Sequence, residues 1–222
     1  MNQVLIVGAS RGIGLEFVRQ YRADACAVTA TARAAAGLER LQALGATALR
    51  LDVADAASAA GLAAALAGAR FDTVVVNAGV YGPRSKGLEP PAEPDFDQVM
   101  HTNVLGAMRV LPQVAGALAP GARLAVISSR MGSMGLRTSP SGWLYRASKA
   151  ALNSVLKDTS LVLSGRAVCV AFHPGWVRTD MGGTGADIDV STSVGDMRRT
   201  LAGLAPADNG AYLNHDGQPL AW

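Results

Sequence analysis

The chain has 222 residues, half of them hydrophobic and 17% charged, with a net charge of +3 at pH 7. This excludes a disordered or fibrous chain and suits one globular domain over residues 1–222. Basic residues are scattered, with Arg198-Arg199 the one tight pair, and no apolar run is as long as a membrane span. No nucleic-acid partner and no membrane partner are therefore expected.

In chain order, short apolar runs at 4–7, 25–30, 47–51, 73–76, 124–127 and 168–172 read as buried strands. Between them, 11–22, 37–44, 56–66, 96–118 and 143–163 read as helices, the third capped by Asp55. The alternation predicts an α/β fold: a doubly wound, mostly parallel sheet with helices on both faces. The stretch 81–95, holding Pro83, Pro90, Pro91 and Pro94, reads as a loop at the carboxyl edge of the sheet, and 181–192 as a second irregular segment. Cys26 and Cys169 lie in apolar runs, which predicts buried free thiols in a reducing compartment. The start, MNQVLIVGAS, lacks a basic leader region, so a soluble, cytoplasmic protein is expected.

The first strand runs straight into Gly8-Ala-Ser-Arg-Gly12-Ile-Gly14 and a helical pattern. Glycines at a strand-to-helix turn let backbone approach a pyrophosphate, and the helix N-terminus supplies N–H donors. Gly8, Ser10, Arg11, Gly12, Ile13 and Gly14 are thus expected in a dinucleotide site. The second strand lacks the acid that would hold a ribose 2′-hydroxyl; Arg33 stands where it should end, and Arg11 lies in the turn. Two guanidinium groups favour a 2′-phosphate, hence NADP(H) over NAD(H). Asp52 and Val53 close the third strand, with Asp52 placed either to accept from an adenine amino group or to cap the strand end. Asn77, Ala78 and Gly79 close the fourth and border the cofactor or simply stabilise the sheet edge.

Tyr145 and Lys149 stand at i and i+4, on one face of the last long helix. A cation beside a phenol lowers its pKa from about 10, which suits proton transfer to a carbonyl oxygen. His101, His173 and His215 have no ligand spacing, so no metal is expected.

With these motifs placed, the chain resembles the short-chain dehydrogenase/reductases over nearly its whole length. The matching residues are Gly8, Gly12, Gly14, Asp52, Asn77-Ala78-Gly79, Asn103, Ser129, Tyr145 with Lys149, Pro174-Gly175 and Thr179. The ending NGAYLNHDGQPLAW looks like the C-factor-like carbonyl reductase branch. The resemblance implies a Rossmann fold and assigns roles. Ser129 would bond the substrate carbonyl or alcohol, and Tyr145 would be the general acid for reduction and base for oxidation. Lys149 would lower the Tyr145 pKa and hold the nicotinamide ribose, and Asn103 would support a connecting water. Pro174, Gly175, Val177 and Thr179 would meet the nicotinamide end. Val7 and Val76 depart from the family, which commonly has Thr and Asn there, and residues 130–144 make a long interval between Ser129 and Tyr145.

Tyr81, Arg130, Met131, Met134, Trp143, Trp176 and Met181 are expected around a mostly apolar substrate space. The expected function is NADP(H)-dependent reduction of a small carbonyl compound (ketone, aldehyde or quinone). The alternatives are a dinucleotide-binding signalling or regulatory protein with incidental catalysis and, more weakly, an epimerase or dehydratase on the same fold. The two long helices also offer a two-fold four-helix interface, hence a homodimer or homotetramer.

Overall fold

Val, Ile, Leu and Ala follow one another almost without interruption in the strands because each strand is covered on both faces. The structure, a computed structural model, describes residues 2–85 and 87–222. Its strands are β1 (Gln3–Val7), β2 (Ala27–Ala32), β3 (Thr47–Arg50), β4 (Phe71–Val76), β5 (Leu118–Ile127), β6 (Ala167–His173) and β7 (Ala211–Asn214). They form one parallel sheet in the order β3-β2-β1-β4-β5-β6-β7. The helices are α1 (Gly12–Ala23), α2 (Ala35–Ala43), α3 (Ala56–Ala60), α4 (Leu62–Ala65), α5 (Glu93–Met100), α6 (Gly106–Ala115), α7 (Trp143–Val162) and α8 (Val190–Gly203).

Period-2 alternation sends neighbouring strand residues to opposite cores. Leu5, Val7, Val74, Val76, Leu124 and Val126 meet Val110, Leu111 and Val114 of α6 and Leu152, Val155 and Leu156 of α7. Val4, Ile6, Val75, Ala125 and Phe172 meet Phe17 and Val18 of α1, Leu41 of α2, and Val194, Met197 and Leu201 of α8. Each fully buried Leu, Val or Phe is worth roughly 1.5–3 kcal/mol of transfer free energy, so these two layers dominate the fold's stability. The chain winds from β1 outward to β3, then crosses back to β4 on the other flank of β1. That reversal opens a crevice beyond the carboxyl ends of β1 and β4, the place where such sheets bind ligands.

The structure corrects several boundaries. Ala25 adopts a left-handed turn at φ 57°, so β2 starts at Ala27 and ends one residue before Arg33. The predicted helix 56–66 breaks at Gly61 into α3 and α4. The predicted helix 96–118 is α5, a π-helical turn (His101–Leu105) and α6, and Leu118 already belongs to β5. Residue 86 of the predicted loop 81–95 lies outside the described residues, and that loop ends where α5 begins at Glu93.

Two elements were not foreseen: α8, which starts inside the predicted irregular segment with its N-cap Asp189 accepting from Thr192 N, and β7. The bonds from Thr192 and Ser191 pull the Asp189 carboxyl down to about 2. Cys26 and Cys169 are buried free thiols, as expected. Among the described residues no helix is long and apolar enough to cross a membrane.

Candidate active site

The crevice is a cleft of about 270 Å³ running from the glycine turn after β1 to the cleft face of α7. At its first end the turn has little room for side chains. A Cβ on Gly8 would lie 2.7 Å from the Ala78 backbone, and one on Gly14 would lie 2.3 Å from Gly8 O. Gly8 N donates to Thr31 Oγ1 at 3.0 Å, Ala9 N to Thr31 O at 2.8 Å, and Asn77 Nδ2 to Gly8 O at 2.6 Å. The Thr31 hydroxyl and carbonyl and the Asn77 amide therefore hold the turn, although Val7 and Val76 offer no polar group. Arg11, the N-cap of α1, puts no side-chain bond on the first-turn N–H groups, and α1 has no acid in its first turn.

Two cations stand at the rim, each beside a carboxylate. Arg11 Nη1 pairs with Asp180 Oδ2 at 3.0 Å, and Arg33 Nη1 lies 3.7 Å from Asp52 Oδ2. Asp52 Oδ1 also accepts from Ala54 N, which makes it a local turn cap. Backbone approach, a helix N-terminus without acid and two guanidinium groups fit a phosphorylated dinucleotide.

At the second end, Tyr145 and Lys149 project from α7 into the cleft, one turn apart and both buried. Lys149 Nζ lies 5.6 Å from the Tyr145 ring centroid and donates to Ile127 O at 2.9 Å. Burial lowers the Lys149 pKa to about 8. Burial also raises that of Tyr145, with Tyr81 and Tyr212 adding to the rise, while a hydrogen bond with the Ser129 hydroxyl pulls it back. The sequence expectation of a phenol made more acidic by its amine neighbour is thus outweighed by desolvation. The phenol stays protonated at neutral pH and the ammonium stays largely charged. Ser128 is turned to a structural use: its Oγ donates to Asn153 Oδ1 at 2.6 Å.

Asn103 sits in the π-helical turn with its side chain committed to the frame. Its Oδ1 accepts from Val80 N at 2.8 Å, and its Nδ2 donates to Val80 O at 2.8 Å and Ser148 Oγ at 2.9 Å. The extra residue of a π turn is a common device at functional sites. Here it locks the loop after β4 to α7.

The cleft surface takes in Gly8, Ser10, Arg11, Gly12, Ile13, Arg33, Asp52, Val53, Asn77, Ala78, Gly79, Tyr145, Lys149, Pro174 and Thr179. Gly14, Asn103, Ser129, Gly175 and Val177 are not on that surface. Gly175 is left-handed at φ 85° against Ile188, and Val177 is buried and bridged to Ile188. Thr31, Val80, Thr102 and Asp180 line the cleft and were not foreseen. Only Thr31, one of two threonines in the otherwise apolar β2, carried a signal. Of the expected substrate wall only Met181 lines this cleft. Tyr81 instead stacks on Tyr145 with centroids 4.5 Å apart, and Trp143 borders a smaller hollow with Pro83, Pro90 and Pro91.

Such a cleft on a doubly wound parallel sheet defines a nucleotide-binding α/β protein, and comparison with known proteins narrows that class. The short chain dehydrogenase family model matches residues 2–187. C-signal of Myxococcus xanthus is 37% identical over 154 residues, covering 68% of this chain and 92% of that protein. A carbonyl reductase from Pseudomonas aeruginosa PAO1, solved in complex with NADP, superposes with a TM-score of 0.88 at 34% identity, covering both chains fully. An NADPH-bound carbonyl reductase from chicken fatty liver gives a TM-score of 0.85 at 32% identity over 100% of this chain and 99% of that one. The chain belongs to the short-chain dehydrogenase family of oxidoreductases.

Proposed function

We propose that the protein, as one dinucleotide-binding domain over residues 1–222, is an NADPH-dependent reductase of small uncharged ketones, aldehydes or quinones. The observation that carries this is that the Tyr145 phenol and the Lys149 ammonium line one end of a cleft whose other end is a glycine turn, with the Ser129 hydroxyl bonded to Tyr145 just behind that surface. The NADP-bound solved relatives support the choice of cofactor. NADPH supplies the hydride. Arg11 and Arg33 hold a 2′-phosphate, and the Gly8 to Gly14 turn accommodates the pyrophosphate.

Tyr145 gives its proton to the carbonyl oxygen as the carbonyl carbon gains the hydride, so the C=O π pair ends in the new O–H bond. The Ser129 hydroxyl donates to that oxygen as negative charge builds on it. Lys149, charged below about pH 8, faces the tyrosinate left behind. Its location beside Gly79 and Ile127 also suits bonds to a ribose. Pro174, Gly175, Val177 and Thr179 shape the far wall around the nicotinamide, and Asn103 fixes the frame. A reducing, cytoplasmic setting belongs to the same reading, since both cysteines are unpaired. So does pairing of the α5–α6 and α7 faces, where Phe96, Met108, Leu161 and Val162 are exposed, into a homodimer or homotetramer; sedimentation equilibrium in solution reads this directly as mass.

The test is turnover of a carbonyl panel, with NADPH and NADH titrated separately. Tyr145→Phe is expected to lower kcat by about 10²–10⁴-fold with NADPH affinity kept, the usual range for a lost general acid. Unchanged turnover in that variant overturns the mechanism. Tighter binding of NADH than NADPH overturns the cofactor choice.

The 37% identity to C-signal favours a second reading, in which the bound dinucleotide serves a signalling or regulatory role and turnover is incidental. A cellular phenotype rescued by Tyr145→Phe but not by a folded Gly12→Ala protein supports it.

A further inference from the structure

Residues 130–142 loop out between Ser129 and α7, and an interval of that length does not by itself fix a hydroxyl at its base. The far edge of the sheet supplies the restraint. Tyr212 of β7 is buried, and its O–H donates to the Ser129 carbonyl oxygen. The same oxygen accepts from Gly132 N at 2.7 Å, closing the turn Arg130–Gly132, while Ser129 Oγ accepts from Met131 N at 3.2 Å. Gly132 rests directly on α7: a Cβ there would lie 2.8 Å from the carbonyl carbon of Lys149. The Ser129 peptide is thus gripped between Tyr212 on one side and the turn that abuts Lys149 on the other.

Tyr212 is in turn held by Trp222, whose ring stacks on it with centroids 5.1 Å apart. A short strap keeps Trp222 in place. Met134 N and Gly135 N donate to Trp222 O at 2.9 and 3.3 Å, Ser133 Oγ donates to Ala221 O at 2.7 Å, and Leu220 N donates to Tyr212 O at 2.8 Å. A buried tyrosine keeps its hydroxyl only where a partner waits for it, and here that partner is the backbone of Ser129.

We propose that Tyr212 and Trp222 form a clamp that positions Ser129 for carbonyl reduction, Tyr212 by tethering the Ser129 peptide and Trp222 by backing Tyr212. The clamp rests on the reductase reading above. It explains how this chain keeps Ser129 against Tyr145 despite the long insertion. Neither residue touches the cleft, so both are positioning residues.

The test is a double-mutant cycle with an uncharged ketone and NADPH. Tyr212→Phe keeps the ring stack and leaves Ser129 O its Gly132 bond, so the fold survives; Trp222→Ala, partly exposed, provides a second probe. Each is expected to lower kcat/KM by about 5- to 20-fold with the NADPH dissociation constant unchanged, and to cost less than about twofold more in a Ser129→Ala background, the non-additivity of residues acting as one unit. Trp222→Phe restores the activity. Full activity of Tyr212→Phe, losses that simply add to that of Ser129→Ala, or a parallel loss of NADPH affinity each overturn the clamp. If Tyr145→Phe and Ser129→Ala both keep full turnover, the reductase reading fails and the clamp falls with it. Inactive Tyr145→Phe beside fully active Tyr212→Phe sinks the clamp alone.

Discussion

The glycine turn keeps its shape because Gly8 and Gly14 carry no side chain to strike Ala78 and Gly8 O, while the opposite wall carries Tyr145 and Lys149, two titratable groups removed from water. On the proposed reading, affinity at the first end comes from the first-turn N–H groups of α1, and the packing that permits close approach to them also stabilises the fold. At the second, chemistry comes from side chains whose charged forms burial disfavours. Shape and stability therefore work together at the turn, and reactivity and stability oppose each other at α7.

The largest effects should separate two glycines of one turn. A Cβ on Gly14 meets three atoms within 3.0 Å, two of them backbone, and Gly14 itself is not on the cleft surface. Gly14→Ala should cost roughly 3 kcal/mol of stability by forced overpacking, read by urea unfolding. Gly12 has more room, its nearest neighbour being Thr179 Cγ2 at 3.5 Å, but it is left-handed at φ 53° and lines the cleft. Gly12→Ala should cost only about 1–2 kcal/mol of backbone strain and weaken NADPH binding by more than tenfold. Equal losses in both variants would break the distinction.

Lys149→Met tests the other end. The Lys149 pKa falls from its ordinary 10.5 to about 8 through burial, so between those values the unfolded chain binds more protons than the folded one. Stability of the parent then rises with pH across that window, and the penalty of the buried ammonium is fully present below pH 8. The methionine variant should be inactive yet more stable at pH 7 by roughly 2 kcal/mol, about 3 from the pKa shift less about 1 for the lost bond to Ile127 O. That gain should vanish by about pH 11 in a pH series of unfolding curves. In the parent, carbonyl reduction should decline as pH rises through about 8, since Lys149 loses the charge that faces the tyrosinate. A rate that climbs through pH 8 would assign the ammonium no part in the reaction.

The same division decides what was legible in the residues alone. Continuous apolar runs such as VLIV and VVV, and the glycine turn, disclosed β1, β4 and the nucleotide end because steric rules act locally. Tyr145 and Lys149 were legible from their i, i+4 spacing. The direction of the Tyr145 shift was not, since it is set first by burial of the phenol, with Tyr81 and Tyr212 adding to the rise, and only tertiary packing creates that environment. Helix α8 hid behind its Ser and Thr residues, although Val194, Met197 and Leu201 carried a helical stripe. β7 spans four residues, too few for a period to show, and the strap at Trp222 bonds through backbone, which side-chain patterns do not reveal.

The smallest expected effect concerns the rim, where the nucleotide end is soft. The Arg11–Asp180 pair is well exposed on both sides, and such pairs contribute about 0–1 kcal/mol. On the proposed reading, Asp180 competes with a phosphate for Arg11, and its own charge repels an anion entering the cleft. Asp180→Asn should therefore tighten NADPH by about two- to fivefold at low ionic strength, with the gain shrinking toward 0.5 M salt as screening shortens to a few ångströms. NADH, which lacks the 2′-phosphate, should gain less. An equal gain for both cofactors would place Arg11 on the shared pyrophosphate and leave discrimination to Arg33, whose neighbour Asp52 cannot be neutralised as freely because it also caps the turn at Ala54.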